Sequence, residues 1–175
     1  MKKTISVLVE NHPGVLARIS GLFSARGFNI DSLAVGETED PTVSRMTIVA
    51  EGDERTLEQI KKQLNKLIDV ITVTDLTQTK FIDRELILIK VGVASSKDRA
   101  QIIEIAGTMR ANVADLGIHT ITIEAVGETS RIDKLIELLR QFGIKEIVRT
   151  GKIAMESESK EKPKTTKEEE IYFRR

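Results

Sequence analysis

Asn11, Gly14 and Asn29 are the residues whose types and spacing offer chemistry, within NHPGVLARISGLFSARGFNIDSL, Asn11 to Leu33. Each asparagine amide carries one acceptor and two donors, a set that engages both the carboxylate and the ammonium of an amino acid. Gly14 falls at the mouth of a helix, where unpaired N–H groups and a partial positive charge attract a carboxylate. With no Cβ at Gly14, a ligand reaches those N–H groups unobstructed. Leu16, Ile30 and Val35 are placed to wall a small aliphatic side chain. Taken singly, the same residues also read as turn chemistry: Asn11 as a helix cap, Gly14 as a tight turn, Asn29 as the turn after Gly27.

Nothing nearby looks equipped for bond breaking. The two histidines, His12 and His119, lie far apart in sequence, and neither has a neighbouring nucleophile or an orienting carboxylate. His12 reads as a loop residue beside the helix start and His119 as a strand residue. The chain has no cysteine, and no His/carboxylate group shows ligand spacing, so no metal site is expected. A phosphate-binding enzyme on this layout needs an arginine in the first loop. That loop is ENHPG, and Arg18 lies a turn into the helix.

The elements that position these residues follow from periodicity. Ile5, Val7 and Val9 alternate with Thr4, Ser6 and Leu8 as a half-buried strand. From Pro13, which suits a first helical position, Val15, Leu16, Ile19, Leu22 and Phe23 mark one helix face. Gly27 provides the left-handed stop. Strands follow over Phe28 to Val35 and Arg45 to Ala50. A second helix capped by Asp53 carries Leu57, Ile60, Leu64 and Leu67, and Val70 to Leu76 is a fourth strand. The order β-α-β-β-α-β in about 75 residues is the ferredoxin-like arrangement. Both helices fall on one face, and the other face needs a second domain or subunit to cover it.

The layout runs again. A strand over Glu85 to Val93 leads to a helix over Asp98 to Met109, then strands over Asn112 to Asp115 and His119 to Val126. A helix through Ile132, Leu135, Ile136, Leu139 and Phe142 precedes a last strand, Glu146 to Met155. VAEGDERTLEQIKKQL and IEAVGETSRIDKLIELL are equivalent strand–turn–helix corners about 75 residues apart. The second copy lacks the Pro-Gly pair, opening its helix with ASSKDRA instead. The fold class is therefore α+β, two tandem ferredoxin-like βαββαβ domains with antiparallel sheets. Residues 1–78 form the first domain, 79–84 a linker, 85–155 the second domain and 156–175 a charged, mobile tail.

Composition narrows the classes further. Lys plus Arg and Asp plus Glu both number 27, so the formal net charge is zero. Nucleic-acid surfaces need a basic excess, and with aromatics at 3% the sheets carry no base-stacking platform. No apolar run approaches the ~20 residues of a membrane span, and MKKTISVLVEN turns polar too early for a secretory leader. A cytoplasmic protein is expected.

The segment ENHPGVLARISGLFSARGFNIDSL, with TEDPTVSRMTIVAEGDERTLEQIKKQLNKLIDVITV behind it, resembles the small regulatory subunit of acetolactate (acetohydroxyacid) synthase. Its first part looks like an ACT domain, the fold that senses amino acids. The similarity is dense over residues 3 to 76, and RGFNIDSL and DPTVSRMTIV carry its specificity. From Glu85 on, the likeness is in length and layout. The long charged tail departs from bacterial members, so nothing functional is carried onto it. The resemblance implies a homodimer through ACT domains with valine, or another branched-chain amino acid, bound where two copies meet. Asn11, Gly14 and Asn29 match the family's valine positions, with His12, Pro13, Val15, Leu16 and Ile30 alongside. It also implies a chain without cofactors of its own that activates a separate catalytic subunit and makes it inhibitable by end product. Thiamine diphosphate, Mg²⁺ and FAD belong on that large subunit. The alternative is a stand-alone amino-acid sensor or oligomerisation module without a synthase partner.

Overall fold

The alternation that begins the chain becomes β1 (Lys2–Glu10), and the computed structural model, which describes residues 2–157, then runs through α1 (Val15–Ala25), β2 (Ile30–Glu37), β3 (Val43–Glu51), α2 (Glu54–Leu64) and β4 (Val70–Asp75). The strands form one antiparallel sheet in the order β2-β3-β1-β4. Ile5, Val7 and Val9 pack with Val15, Ile19 and Phe23 of α1 and with Leu57, Ile60 and Leu64 of α2. The i, i+4, i+8 spacing on α1 and the i, i+3, i+7 spacing on α2 select those faces.

Two glycines shape α1. Gly14 is its N-cap at φ 94°, and Gly27 follows its last turn at φ 69°. Pro13 therefore lies before the helix in the turn, rather than at the first helical position. Asn11 does not cap it either, and no side chain accepts from its first N–H groups. At the far end, Phe28 N–H reaches back to the Phe23 carbonyl at 3.0 Å, closing the helix as the glycine stop requires.

Asp53 is the N-cap of α2 and accepts from Thr56 N–H at 2.7 Å. The Thr56 backbone N–H, then its hydroxyl, hold the Asp53 carboxyl below its ordinary value. A carboxyl depressed on folding stabilises above its unfolded value, and that contribution is lost as pH falls through the folded one. Asp53→Ala is therefore expected to lower the thermal midpoint at neutral pH, with the gap to the parent closing on acidification. Asp53→Asn, an equally good cap, should keep most of the neutral-pH stability. Differential scanning calorimetry across pH checks both, and a gap that is constant with pH would refute the linkage.

The repeat is β5 (Phe81–Gly92), α3 (Ser96–Thr108), β6 (Asn112–Leu116), β7 (Thr120–Gly127), α4 (Thr129–Leu139) and β8 (Ile144–Arg149), followed by β9 (Ile153–Glu156). Its sheet order is β6-β7-β5-β8, with β9 also pairing β5. Ile87, Ile89, Val91, Ile121 and Ile123 pack against Ile102 and Ala106 of α3 and Ile132, Leu135 and Leu139 of α4. The α+β class with two ferredoxin-like βαββαβ units is thus what the chain forms.

Several boundaries differ from the sequence reading. The last strand is two strands, broken at Thr150–Lys152. β5 starts at Phe81, inside the stretch read as linker, and His119 sits in the turn before β7. One compact unit runs to Ile82 and takes in Ala154; the other is Asp83–Ile153. In the first unit, Thr4, Ser6, Leu8 and Thr47, on the sheet face opposite the helices, are buried, and Ala154 N–H donates to Thr47 Oγ1. Ala154 thereby meets that face of the first unit's own sheet. The tail expectation, from 158 on, lies outside the described residues. Among the described residues, no helix is long and apolar enough to cross a membrane.

Candidate functional site

The loop between β1 and α1 is held from both sides. On the β3 side, Asn11 N–H donates to the Thr42 carbonyl at 2.7 Å, and Asn11 Nδ2 donates to Pro41 O at 2.8 Å and Glu37 Oε1 at 3.2 Å. Asn11 thus ties the end of β1 to the β2–β3 hairpin, a tertiary role instead of the capping role. On the β4 side, Glu10 N–H donates to the Asp69 carbonyl at 2.9 Å. The Asp69 carboxylate, buried just before β4, stands 3.1 Å from His12 Nε2 through Oδ1 and is paired with Arg18 Nη1 through Oδ2. Arg18, one turn into the helix, is therefore committed to a carboxylate.

Gly14 closes the loop. A Cβ built there meets nothing within 4 Å, so φ and not crowding favours glycine at this position. Its carbonyl accepts the first full helical bond, from Arg18 N–H at 3.0 Å, while Val15 N–H reaches only the His12 carbonyl at 3.5 Å. The opening N–H groups of α1 have no side-chain cap and no acidic residue in the first turn, which leaves them as an anion-attracting end. Leu16 is 44% exposed and Val35 45% exposed. Val15, by contrast, is buried in the core, so its side chain walls no pocket, and Ile30 packs partly against the same core.

Asn29 is not beside Asn11. In the β1–β3 register Glu10 faces Val43 and Lys2 faces Glu51, while on β2 Ile30 faces Ala50 and Glu37 faces Ser44. Asn29, just before Ile30, therefore lies at the opposite end of the sheet from Asn11 and Gly14. β2 alone spans about 23 Å at about 3.3 Å per residue. The clustering of the two asparagines suggested by their closeness in sequence is corrected by α1, which carries the chain the length of the sheet between them. Asn29 is exposed, and its Nδ2 donates to Asp31 Oδ1 at 2.7 Å.

Sequence spacing also missed Asp69, which sits 57 positions from His12. It supplies the carboxylate that His12 was read as lacking. Glu10, His12 and Asp69 form a group of possible metal ligands that the linear spacing does not show. His119 lies in the other unit, its carbonyl accepting Val93 N–H at 2.9 Å.

Residues 5–72 match the family of ACT domains like those of the AHAS small subunit, and residues 84–158 match the family described as the small subunit of acetolactate synthase. The chain is 52% identical over 151 residues to a probable acetolactate synthase small subunit of Methanothermobacter thermautotrophicus, covering 86% of this chain and 90% of that one. It is 51% identical over 152 residues to the acetolactate synthase small subunit of Mycobacterium leprae, covering 87% and 89%. The crystal structure of the Thermotoga maritima acetolactate synthase small subunit superposes with a TM-score of 0.80 at 38% identity, covering 91% of this chain and 99% of that chain.

Proposed function

The chain belongs to the acetolactate synthase small-subunit family, and from that premise we propose that it is a non-catalytic regulatory subunit whose paired copies bind valine. The observation that carries the reading is the separation of Asn29 from the Asn11–Gly14 loop within one chain. A small amino acid touching both sets of groups has to lie between two copies.

The fold supplies a way to pair them. β2 is an edge strand, and an edge strand is a template for pairing with another chain. Two β2 edges joined antiparallel about a two-fold axis place the start of each β2 against the end of the other. Asn29 of the partner subunit then approaches Glu37, and Glu37 is already bonded to Asn11. The uncapped start of α1 takes the ligand carboxylate, asparagine oxygens take its ammonium, and exposed Leu16 and Val35 with Ile30 wall its side chain. His12 and Pro13 shape the loop, and Val15 contributes through its backbone. Valine favours one arrangement of the pair over another, and that difference is the regulatory signal. The catalytic partner, a separate large subunit holding thiamine diphosphate, Mg²⁺ and FAD, gains activity from this chain and becomes inhibitable through it.

Reconstitution with the catalytic subunit tests the proposal. Acetolactate formation is expected to rise on adding this chain and to fall again with valine. Leucine and isoleucine should separate from valine by only about fivefold, since one methylene is worth ~1 kcal/mol in an apolar pocket. A catalytic subunit whose rate ignores both the chain and the amino acid would leave only a stand-alone sensor.

A further inference from the structure

We propose that Glu10, His12 and Asp69 form a binding site for a divalent first-row transition ion, on the β4 side of the β1–α1 loop. His12 Nδ1 stands 3.1 Å from the Pro13 carbonyl. A carbonyl only accepts, so in the neutral tautomer with its hydrogen on Nδ1, Nε2 is the nitrogen with a lone pair to give. Nε2 stands 3.1 Å from Asp69 Oδ1 and 3.3 Å from Glu10 Oε2, and all three ligand atoms lie within 4.8 Å of one another. Without an ion, an Nε2 hydrogen joins the ring to these carboxylates; a bound ion takes that hydrogen's place, and three electron-pair donors converge on it.

The spacing suits one ion. Two donors each about 2.1 Å from a metal, at about 100° to one another, stand about 3.2 Å apart. The surrounding contacts are those that orient metal ligands. A backbone carbonyl stands against Nδ1 and orients the imidazole, and Arg18 holds the second oxygen of Asp69, leaving Oδ1 directed at His12. Glu10 and the neutral ring with Asp69 and Arg18 sum to one negative charge, which admits a dication. One imidazole and two carboxylates favour zinc, cobalt or manganese over magnesium or calcium, which prefer all-oxygen sets. Glu10 and His12 are exposed, so the ion has an entry path and open positions for water.

The site shares His12 with the loop of the amino-acid reading but takes its other donors from the β4 side, while Asn11 uses the β3 side, and zinc uptake is read without any amino acid. Its test is calorimetric titration of the full chain with zinc chloride, with cobalt absorption as a second readout. One zinc per chain is expected. Glu10→Gln and His12→Ala should each weaken binding at least about tenfold and abolish the visible cobalt bands. His119→Ala, the other histidine, should leave uptake unchanged. Both Glu10 and His12 are exposed, so neither variant removes core packing. Absence of zinc uptake by the parent chain, or undiminished uptake by His12→Ala, would overturn the assignment.

Discussion

Gly14→Asp is expected to stay folded and to lose valine binding by more than about 100-fold, about 2.7 kcal/mol. Two effects act on the ligand and two on the fold. The new carboxylate lies at the uncapped start of α1, which has no acidic residue in its first turn, and so takes the place of the ligand's own carboxylate. It also repels that carboxylate at short range. The backbone cost is modest, because aspartate tolerates φ > 0 better than most residues and a Cβ there meets nothing within 4 Å. The same charge at a helix N-terminus is favourable to the helix. Gly14→Ala separates the contributions: it carries the φ cost without the charge, and is expected to weaken valine binding far less. Calorimetry on both variants, with circular dichroism to confirm folding, decides the matter. Valine affinity in Gly14→Asp equal to that of the parent would remove the helix start from the site.

The way the sequence can and cannot be read follows from what each residue senses. Gly27 and Asp53 act on the turn they belong to, so their roles as helix stop and helix cap were legible from neighbours alone. The buried faces of α1 and α2 were legible for the same reason, since a 3.6-residue period reports only on its own helix. Leu16 shows the limit. It fits the apolar stripe, yet it is exposed while Val15, Ile19 and Phe23 fill the core. Asn11 and Asn29 show a second limit: the helix between them turns a short sequence separation into the length of a sheet. Asp69 is the converse case, distant in sequence and brought to His12 and Arg18 by the β1–β4 pairing. Such meetings are set by strand order, which local pattern does not encode. The resemblance to a known family reaches past that gap, because what it implies, a ligand and a two-copy site, does not depend on local pattern.

Phe23→Ala is expected to cost about 3–5 kcal/mol, the largest stability loss among the changes considered. Phe23 is 1% exposed and packs with Ile19, Ile5 and the α2 face, so truncation leaves a cavity ringed by strands that have little freedom to collapse. Its ring also meets Phe28 edge-on, with centroids 6.3 Å apart and planes at 77°, an arrangement worth about 0.5–1.5 kcal/mol beyond buried area. The backbone makes the same link, since the Phe23 carbonyl accepts from both Arg26 and Phe28 N–H groups. Phe28 leads directly into Asn29, so Phe23 sets the path of the segment that the proposed dimer presents to its partner. Urea titration of the full chain should therefore show the transition of the first unit at lower denaturant. Phe23→Leu, which keeps most of the volume, is expected to lose less than half as much. If valine binding requires Asn29 to be held in place, residual folded Phe23→Ala should also bind it more weakly than its folded fraction accounts for, whereas Phe23→Leu should follow its folded fraction. Equal affinity per folded molecule in both variants would detach the Phe23–Phe28 contact from the ligand site and leave it a role in the core alone.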